Sequence, residues 1–326
     1  MTHTAQPAPS LQNWKQTLAY DGTGFSGWQI QPGELTIQRE LQAALHRVTG
    51  ESPLPQGSGR TDAGVHALGQ VASFALAANI PAENLQRALN RTLPPSIRVL
   101  QAKTVRSAFH ARHSAIAKTY EYRVFQDSLC PPFLARYVHA CPWPMDLEVL
   151  QSAAAVFIGE HNFLSFAATD PDLAARQGLS PTAALDQDGS LQAEPRSTTN
   201  VPALRKKHGA VRIIDSSTWE RRASDSGSLL IYRVRGNGFL HHMVRNLVGT
   251  MLDAGRGHTP LAALPAILAA RSRAAAGPTA PAQGLFLHSV EYEDSAECDH
   301  SVEPEQGQQS PWPTGLLHPG LPSSEP

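Results

Sequence analysis

The chain has 326 residues, 41% of them hydrophobic, and a formal net charge of −1. That supports a real core in one large or two medium domains, and it excludes a wholly disordered polar chain. No stretch approaches the ~18 apolar residues of a membrane span, and three widely spaced cysteines (Cys130, Cys141, Cys298) without a Cys-x-x-Cys exclude a disulfide framework and a zinc knuckle.

Residues 1–13 are polar and Pro-containing and read as disordered. They show no basic segment followed by an apolar run, so no signal peptide is expected and a reduced, cytoplasmic enzyme is the default. A strand is predicted over 14–20. A helix over 36–49 follows, with Ile37, Leu41, Leu45 and Val48 as its apolar stripe. Strands near 54–59 and 69–76, a helix over 81–91 with Pro81 in its first turn, and a strand over 97–106 complete a β-α-β-β-α-β order. The second half repeats it. A strand spans 114–126, and a helix spans 146–157 with Asp146 as N-cap. Strands follow at 211–222 and 229–236, then helices over 239–254 and 261–272 and a last strand over 285–293.

The predicted class is therefore α+β, two ferredoxin-like halves at 14–113 and 114–293. Residues 168–210 interrupt the second half. They are rich in Ala, Pro, Asp, Ser and Thr, lack periodicity, and end in Arg205-Lys206-Lys207-His208, which reads as a solvated loop or as a contact to RNA phosphates. Residues 294–326 read as a disordered tail. The tail holds Asp294, Glu297, Asp299, Glu303, Glu305 and Glu325 and no Lys or Arg; the remaining residues carry 27 basic against 22 acidic side chains, a net +5. A mildly basic body permits phosphate contacts.

The chemistry-bearing residues concentrate in Gly57-Ser58-Gly59-Arg60-Thr61-Asp62-Ala63-Gly64-Val65-His66-Ala67. The glycines allow sharp turns and close approach to a ligand. In an extended segment Arg60 and Asp62 share a face. A guanidinium nearby favours the ionised carboxylate, and a well-held ionised aspartate is a usable nucleophile. No Gly-Lys-[Ser/Thr] makes this a P-loop, and no calcium-loop register is present. His110 with His113 and His241 with His242 match no standard zinc spacing, so no metal is expected. Arg233 and Arg235 alternate along one strand, and read equally as an ordinary sheet face or as a lining for RNA.

The string Gly59-Arg60-Thr61-Asp62-Ala63-Gly64-Val65-His66 resembles the signature of the tRNA pseudouridine synthase A family. Further blocks follow in family order: Tyr20-Asp21-Gly22-Thr23-Gly24-Phe25-Ser26-Gly27-Trp28-Gln29, Phe109-His110-Ala111-Arg112, Lys118-Thr119-Tyr120-Glu121-Tyr122, Gly159-Glu160-His161-Asn162-Phe163, Gly238 to Asn246, and Gly284-Leu285-Phe286-Leu287. They cover roughly residues 14 to 293 apart from the insertion. The resemblance implies the pseudouridine synthase fold, with merged antiparallel sheets and a central cleft. It implies Asp62 as nucleophile, Arg60 filling the space of a flipped base, and Arg245 as the partner of Asp62. It further implies that Tyr120 stacks on the target uracil and has a role in proton removal at C5, that Leu285 walls the base, and that His66 and Arg112 join the substrate-binding set. It also implies action on uridines 38, 39 and 40 of the tRNA anticodon stem-loop, by a homodimer, without cofactor. Gln283 stands where the family commonly has glutamate. Two other classes compete. One is a non-catalytic RNA-binding module on the same fold, which would tolerate loss of Asp62. The other is a metal-dependent nucleic-acid hydrolase, which needs clustered acidic ligands.

Overall fold

The computed structural model describes residues 11–168, 209–224 and 227–293. The expectations for residues 1–10, for the 168–210 insertion between 169 and 208, and for the 294–326 tail lie outside the described residues. The first half runs β1 (Gln12–Tyr20), α1 (Ile37–Thr49), β2 (Gln56–Gly57), β3 (His66–Leu76), α2 (Ala82–Thr92) and β4 (Ile97–Val105). The second runs β5 (Ala115–Gln126), β6 (His139–Ala140), α3 (Leu147–Ala155), β7 (Gly159–Asn162), β8 (Val211–Ser224), β9 (Gly227–Gly236), α4 (Met243–Gly255), α5 (Leu264–Ala269) and β10 (Leu285–Tyr292).

Within each half the principal strands pair antiparallel, in spatial orders β4-β1-β3 and β10-β5-β9-β8, with β7 added outside β8. The halves meet at one parallel seam, where Phe286 and Leu287 of β10 face His66 and Ala67 of β3. Further along, the same edge of β3 takes β2, through Ala72 and Ser73. The strand expected over 54–59 therefore survives only as Gln56–Gly57. Beyond it the carbonyls leave the ladder for side chains: Ser58 O accepts from Lys118 Nζ, and Gly59 O accepts from Gln70 Nε2 at 2.9 Å.

Local signals set the helices. Thr36 caps α1 through its hydroxyl, and Gly50 ends the helix in the left-handed region at φ 75°. Asp146 caps α3 by accepting from the Glu148 and Val149 amides. Pro81 lies just outside α2 and gives it no side-chain cap. A missing cap costs about 1 kcal/mol, whereas the buried Leu85 and Leu89 contribute about 1.5–3 kcal/mol each, so packing decides that this helix forms.

Two expected helices are shorter. The helix predicted from Phe239 begins at Met243, because His242 sits at φ 58°, outside right-handed helical space. The helix predicted over 261–272 is a 3-10 turn at Leu261–Ala263 followed by α5, and Arg271 at φ 51° lies beyond its end. β1 starts two residues before its predicted position.

One continuous core links both halves on the helix-bearing face. It joins Trp14 and Leu18 of β1, Leu41 of α1, Tyr122 of β5, Tyr232 of β9 and Met251 of α4. The opposite face of the second half is charged. Glu121 is buried there between Arg123 at 2.7 Å and Arg233 at 2.8 Å, while Arg235 pairs with Asp215 and Glu291, both at 2.6 Å. The Arg233–Arg235 stripe is thus bound to carboxylates of its own sheet, which favours the sheet-face reading over an RNA lining.

Helix α4 packs through Gly249 on the segment before β10, where an added Cβ would lie 1.8 Å from Pro278 O. Backbone must move to admit any side chain there. Gly249→Ala is expected to destabilise the fold by about 1–3 kcal/mol, read as a lower urea midpoint and a lower melting temperature. An unchanged midpoint would refute this account of the packing.

Candidate active site

The loop between β2 and β3 is fixed from behind. Tyr20 of β1 bonds Thr61 Oγ1 at 2.8 Å, and Gln70 of β3 donates to Tyr20 Oη at 3.4 Å. Burial pushes the Tyr20 hydroxyl up to about 12, so it stays neutral. Thr61 O accepts from Trp28 N at 3.0 Å. Gly27 makes that approach possible: it sits at φ 88°, and a Cβ would come 2.5 Å from Thr61 O. Thr61 is therefore buried, and its neighbours Arg60 and Asp62 turn to the cavity, as two-residue spacing on an extended segment requires. Gly64 at φ 76° closes the following turn, in which Val65 N bonds Asp62 O at 3.1 Å.

The second half brings the partners of Asp62. Arg245, on the first turn of α4, donates through Nη1 to Asp62 Oδ2 at 2.9 Å and through Nε to Ala280 O at 2.7 Å. The bidentate use of its fork leaves little freedom of orientation. His242 Nε2 lies 3.3 Å from the same Oδ2, and His241 Nε2 lies 3.5 Å from Oδ1. The two imidazoles lie against each other with centroids 3.9 Å apart and planes tilted by 37°. Burial holds His242 below the ordinary histidine range although Asp62 pulls the other way.

Asp62, His241 and His242 border a cavity of about 380 Å³, within the ~300–1,000 Å³ usual for ligand sites. Asp62 is its one carboxylate among the described residues, facing the cations Arg60, Arg112, Lys118 and Arg212. Its apolar wall includes Val65, Phe239, Met243 and Leu285. Tyr120 contributes a ring in edge contact with Phe239 at 5.0 Å. Burial, with Tyr20 and Asp62 close by, raises the Tyr120 hydroxyl far above the usual phenol range, so it is a neutral phenol at physiological pH.

The structure brings together Asp62, Arg60, Arg245, Tyr120, Leu285 and Arg112 as the sequence suggested. It does not bring His66. That ring is 1% exposed, stacks on Phe286 at 4.8 Å, accepts from Gly22 N at Nδ1 and reaches Arg136 O through Nε2 at 3.0 Å. Asp21 Oδ1 is 3.2 Å from Nδ1. The Gly22 amide nevertheless assigns that nitrogen as an acceptor, and burial lowers the imidazole's pKa, so the contact is not an ion pair. His66 is a clamp between the halves. Sequence reasoning missed Lys118, Arg212, His241 and His242 as site residues. Lys118 lies two before Tyr120 on β5 and so shares its face, a signal that was present. Arg212 follows the insertion and carried none.

Asp62, His241 and His242 place three potential ligand atoms within 4.8 Å of one another. They fit a resident divalent cation poorly. Asp62 Oδ2 already holds a guanidinium, and His241 Nδ1 is buried with no hydrogen-bond partner, whereas ligating histidines are normally oriented through that second nitrogen.

A family profile described as tRNA pseudouridine synthase matches residues 17–114 and 199–293. The chain belongs to the tRNA pseudouridine synthase family. Members isomerise uridine in tRNA, and this chain is accordingly an isomerase. Proteins curated as tRNA pseudouridine synthase A share 47% identity in Solibacter usitatus, over 84% of this chain and 97% of the relative, and 41% in Moorella thermoacetica, over 85% and 98%. The protein of that name in Limosilactobacillus fermentum is 38% identical over 89% of this chain and all of the relative. No helix among the described residues is long and apolar enough to cross a membrane.

Two outcomes follow from the synthase site. Arg245→Ala should lower the single-turnover rate by on the order of 10²-fold, by releasing the Asp62 carboxylate, with tRNA affinity changed far less. His66→Ala should instead cost about 1–3 kcal/mol of stability, because it strips Gly22 N and Arg136 O of their partner. A His66→Ala enzyme with wild-type stability but weakened substrate binding would return His66 to the substrate-binding set.

Proposed function

We propose that the chain converts uridine to pseudouridine at positions 38, 39 and 40 of the tRNA anticodon stem-loop, with Asp62 as the nucleophile. The observation that carries this is Asp62 itself, the one carboxylate of the cavity among the described residues, gripped by Arg245 at 2.9 Å and facing Arg60, Arg112, Lys118 and Arg212. A duplex buries its bases, so the target nucleotide must be extruded. The cations suit the phosphates of the extruded nucleotide, and Arg60, two residues from Asp62, suits the space it leaves. Tyr120 and Leu285 enclose the uracil, a stacking contact worth about 1–3 kcal/mol per base.

Isomerisation exchanges one bond of the base for another and oxidises nothing, so this reading requires neither metal nor cofactor. The bond to N1 is cut while the pocket retains the uracil, and C5 is then joined to C1′. Attack by Asp62 at C1′ or at the uracil ring fits the same geometry. The family resemblance adds a cytoplasmic homodimer in which one tRNA touches both subunits.

The test is pseudouridine formation in unmodified tRNA, mapped by carbodiimide-blocked primer extension. Wild type should give product at positions 38 to 40, unchanged by a chelator, and Asp62→Asn should give none. Equal product from both removes Asp62 from its role. Binding without product from either favours an RNA-binding module. Loss of product on chelation restores the metal reading of the Asp62–His241–His242 cluster. Light scattering with and without tRNA checks the dimer.

A further inference from the structure

Arg245 can hold Asp62 only if its own guanidinium is aimed. A long side chain samples many rotamers unless its far end is tied. Here Nη1 goes to Asp62 Oδ2 at 2.9 Å, and Nε goes to Ala280 O at 2.7 Å. The same residue closes back on Arg245, since Ala280 N donates to the Arg245 carbonyl at 3.1 Å. The direction of the guanidinium is thus set by where Ala280 lies.

Ala280 belongs to no regular element. It sits between 3-10 turns at Arg273–Ala275 and Ala282–Gly284, where neither a ladder nor a helix fixes the backbone. Its segment is tied at every second residue instead. Gly277 N donates to Thr250 Oγ1 at 2.9 Å, Thr279 Oγ1 donates to Asn246 Oδ1 at 2.6 Å, and Pro281 O accepts from Tyr122 Oη at 2.8 Å. The Thr279 tie is distinctive, because its acceptor is the residue that follows Arg245 on α4. Asn246 is fully buried, and its Nδ2 donates to Phe166 O at 2.8 Å, which directs Oδ1 to Thr279. Arg273 completes the node, with Nη2 at 3.1 Å from Thr279 Oγ1 and 3.2 Å from Asn246 Oδ1. The hydroxyl therefore accepts one hydrogen and donates its own, which fixes its orientation. A ring closes from Asn246 through Thr279 to Ala280 O, across to Arg245 Nε, and back along that side chain to the helix.

We propose that Thr279 is a positioning residue for the isomerisation: its hydroxyl, bridged to Asn246 and Arg273, sets the Ala280 carbonyl that aims Arg245 at Asp62. Neither Thr279 nor Asn246 lines the cavity, so the effect runs through Arg245 and not through contact with the base. Removing the hydroxyl leaves Asn246 Oδ1 still paired with Arg273, so that buried acceptor keeps a partner. What is lost is the constraint on Ala280, and a misplacement of about 1 Å near a reacting group can cost ~10²-fold in rate. The inference rests on the reading of Asp62 as the nucleophile that Arg245 holds.

The experiment measures single-turnover pseudouridine formation in unmodified tRNA by the full chain, with tRNA affinity alongside, below the melting transition of each variant. Thr279→Val keeps the side-chain shape and removes the hydroxyl. It should slow the reaction by about 10- to 10²-fold with tRNA affinity unchanged. Thr279→Ser, which keeps the hydroxyl, should restore the rate. In an Arg245→Ala background Thr279→Val should cause no further loss, because the two residues act as one unit. An unchanged rate in Thr279→Val, a Thr279→Ser variant that is equally slow, the same loss with and without Arg245, or a loss that weaker tRNA binding accounts for overturns the proposal. If Thr279→Val does not fold, Thr279→Ala takes its place under the same outcomes. Asp62→Asn, run in parallel, separates the two readings. If it is active, the nucleophile reading falls and this proposal falls with it. If it is inactive while Thr279→Val runs at the wild-type rate, the role of Thr279 alone falls.

Discussion

The ion pair between Asp62 and Arg245 joins residues 183 apart in sequence, and each comes from a different half of the molecule. Neither half holds both members of the pair. The aspartate rides a loop of the first sheet, and the arginine rides a helix packed on the second. A carboxylate that is only about one-fifth exposed loses much of its hydration, so a partner must be present when the chain is folded. The pair therefore constrains the merging of the sheets as much as it tunes the chemistry. The parallel seam of β3 with β10 begins at His66, four residues from Asp62, and includes Phe286, next to Leu285 of the cavity wall.

Much of the surrounding structure keeps that pair in register. Behind the loop, Tyr20, Gln70 and Trp28 act on Thr61 and Gly59. Behind Arg245, Ala280 both accepts from its Nε and donates its amide to the Arg245 carbonyl at 3.1 Å. To one side, His66 grips the Arg136 carbonyl, and Tyr137 donates to Asp21 Oδ2 at 3.0 Å. These are hydrogen bonds of ordinary individual worth, about 0.5–1.5 kcal/mol each. Their effect on geometry is larger than their sum in stability, because misplacing a reacting group by about 1 Å can cost ~10²-fold in rate.

The elements whose periodicity was strong were legible from sequence. Leu41 and Leu45 of α1 and the alternation in β9 fall where the pattern put them, because burial on one face is enforced along the whole element. The motif glycines were legible for a similar reason, since Gly27 and Gly64 occupy backbone positions that few other residues can take. Three features were hidden. His242 breaks the helical register through a left-handed φ that no side-chain pattern announces. His66 lies within the signature but serves the seam, which depends on β10 arriving from more than two hundred residues away. Arg212 lies where β8 pairs with β7, opposite His161, a register that the sequence does not encode locally. In each case the deciding contact is tertiary.

The repeated β-α-β-β-α-β order frames a division of labour between the halves. In the second half, β8 and β9 form a tight hairpin that pairs down to Ser224 and Gly227. The matching connection in the first half, between β2 and β3, opens into the loop that bears Asp62. Conversely, α2 starts plainly after its cap residue Pro81, while its counterpart α4 starts after the left-handed cap residue His242, and its first turn carries Arg245. Each half has elaborated the connection that the other left simple, and the two elaborations meet across the seam. A single half could not bring them together, since both lie at different ends of the same unit. The cavity is then walled by residues of both halves, Asp62 and Val65 from the first and Tyr120 and Leu285 from the second.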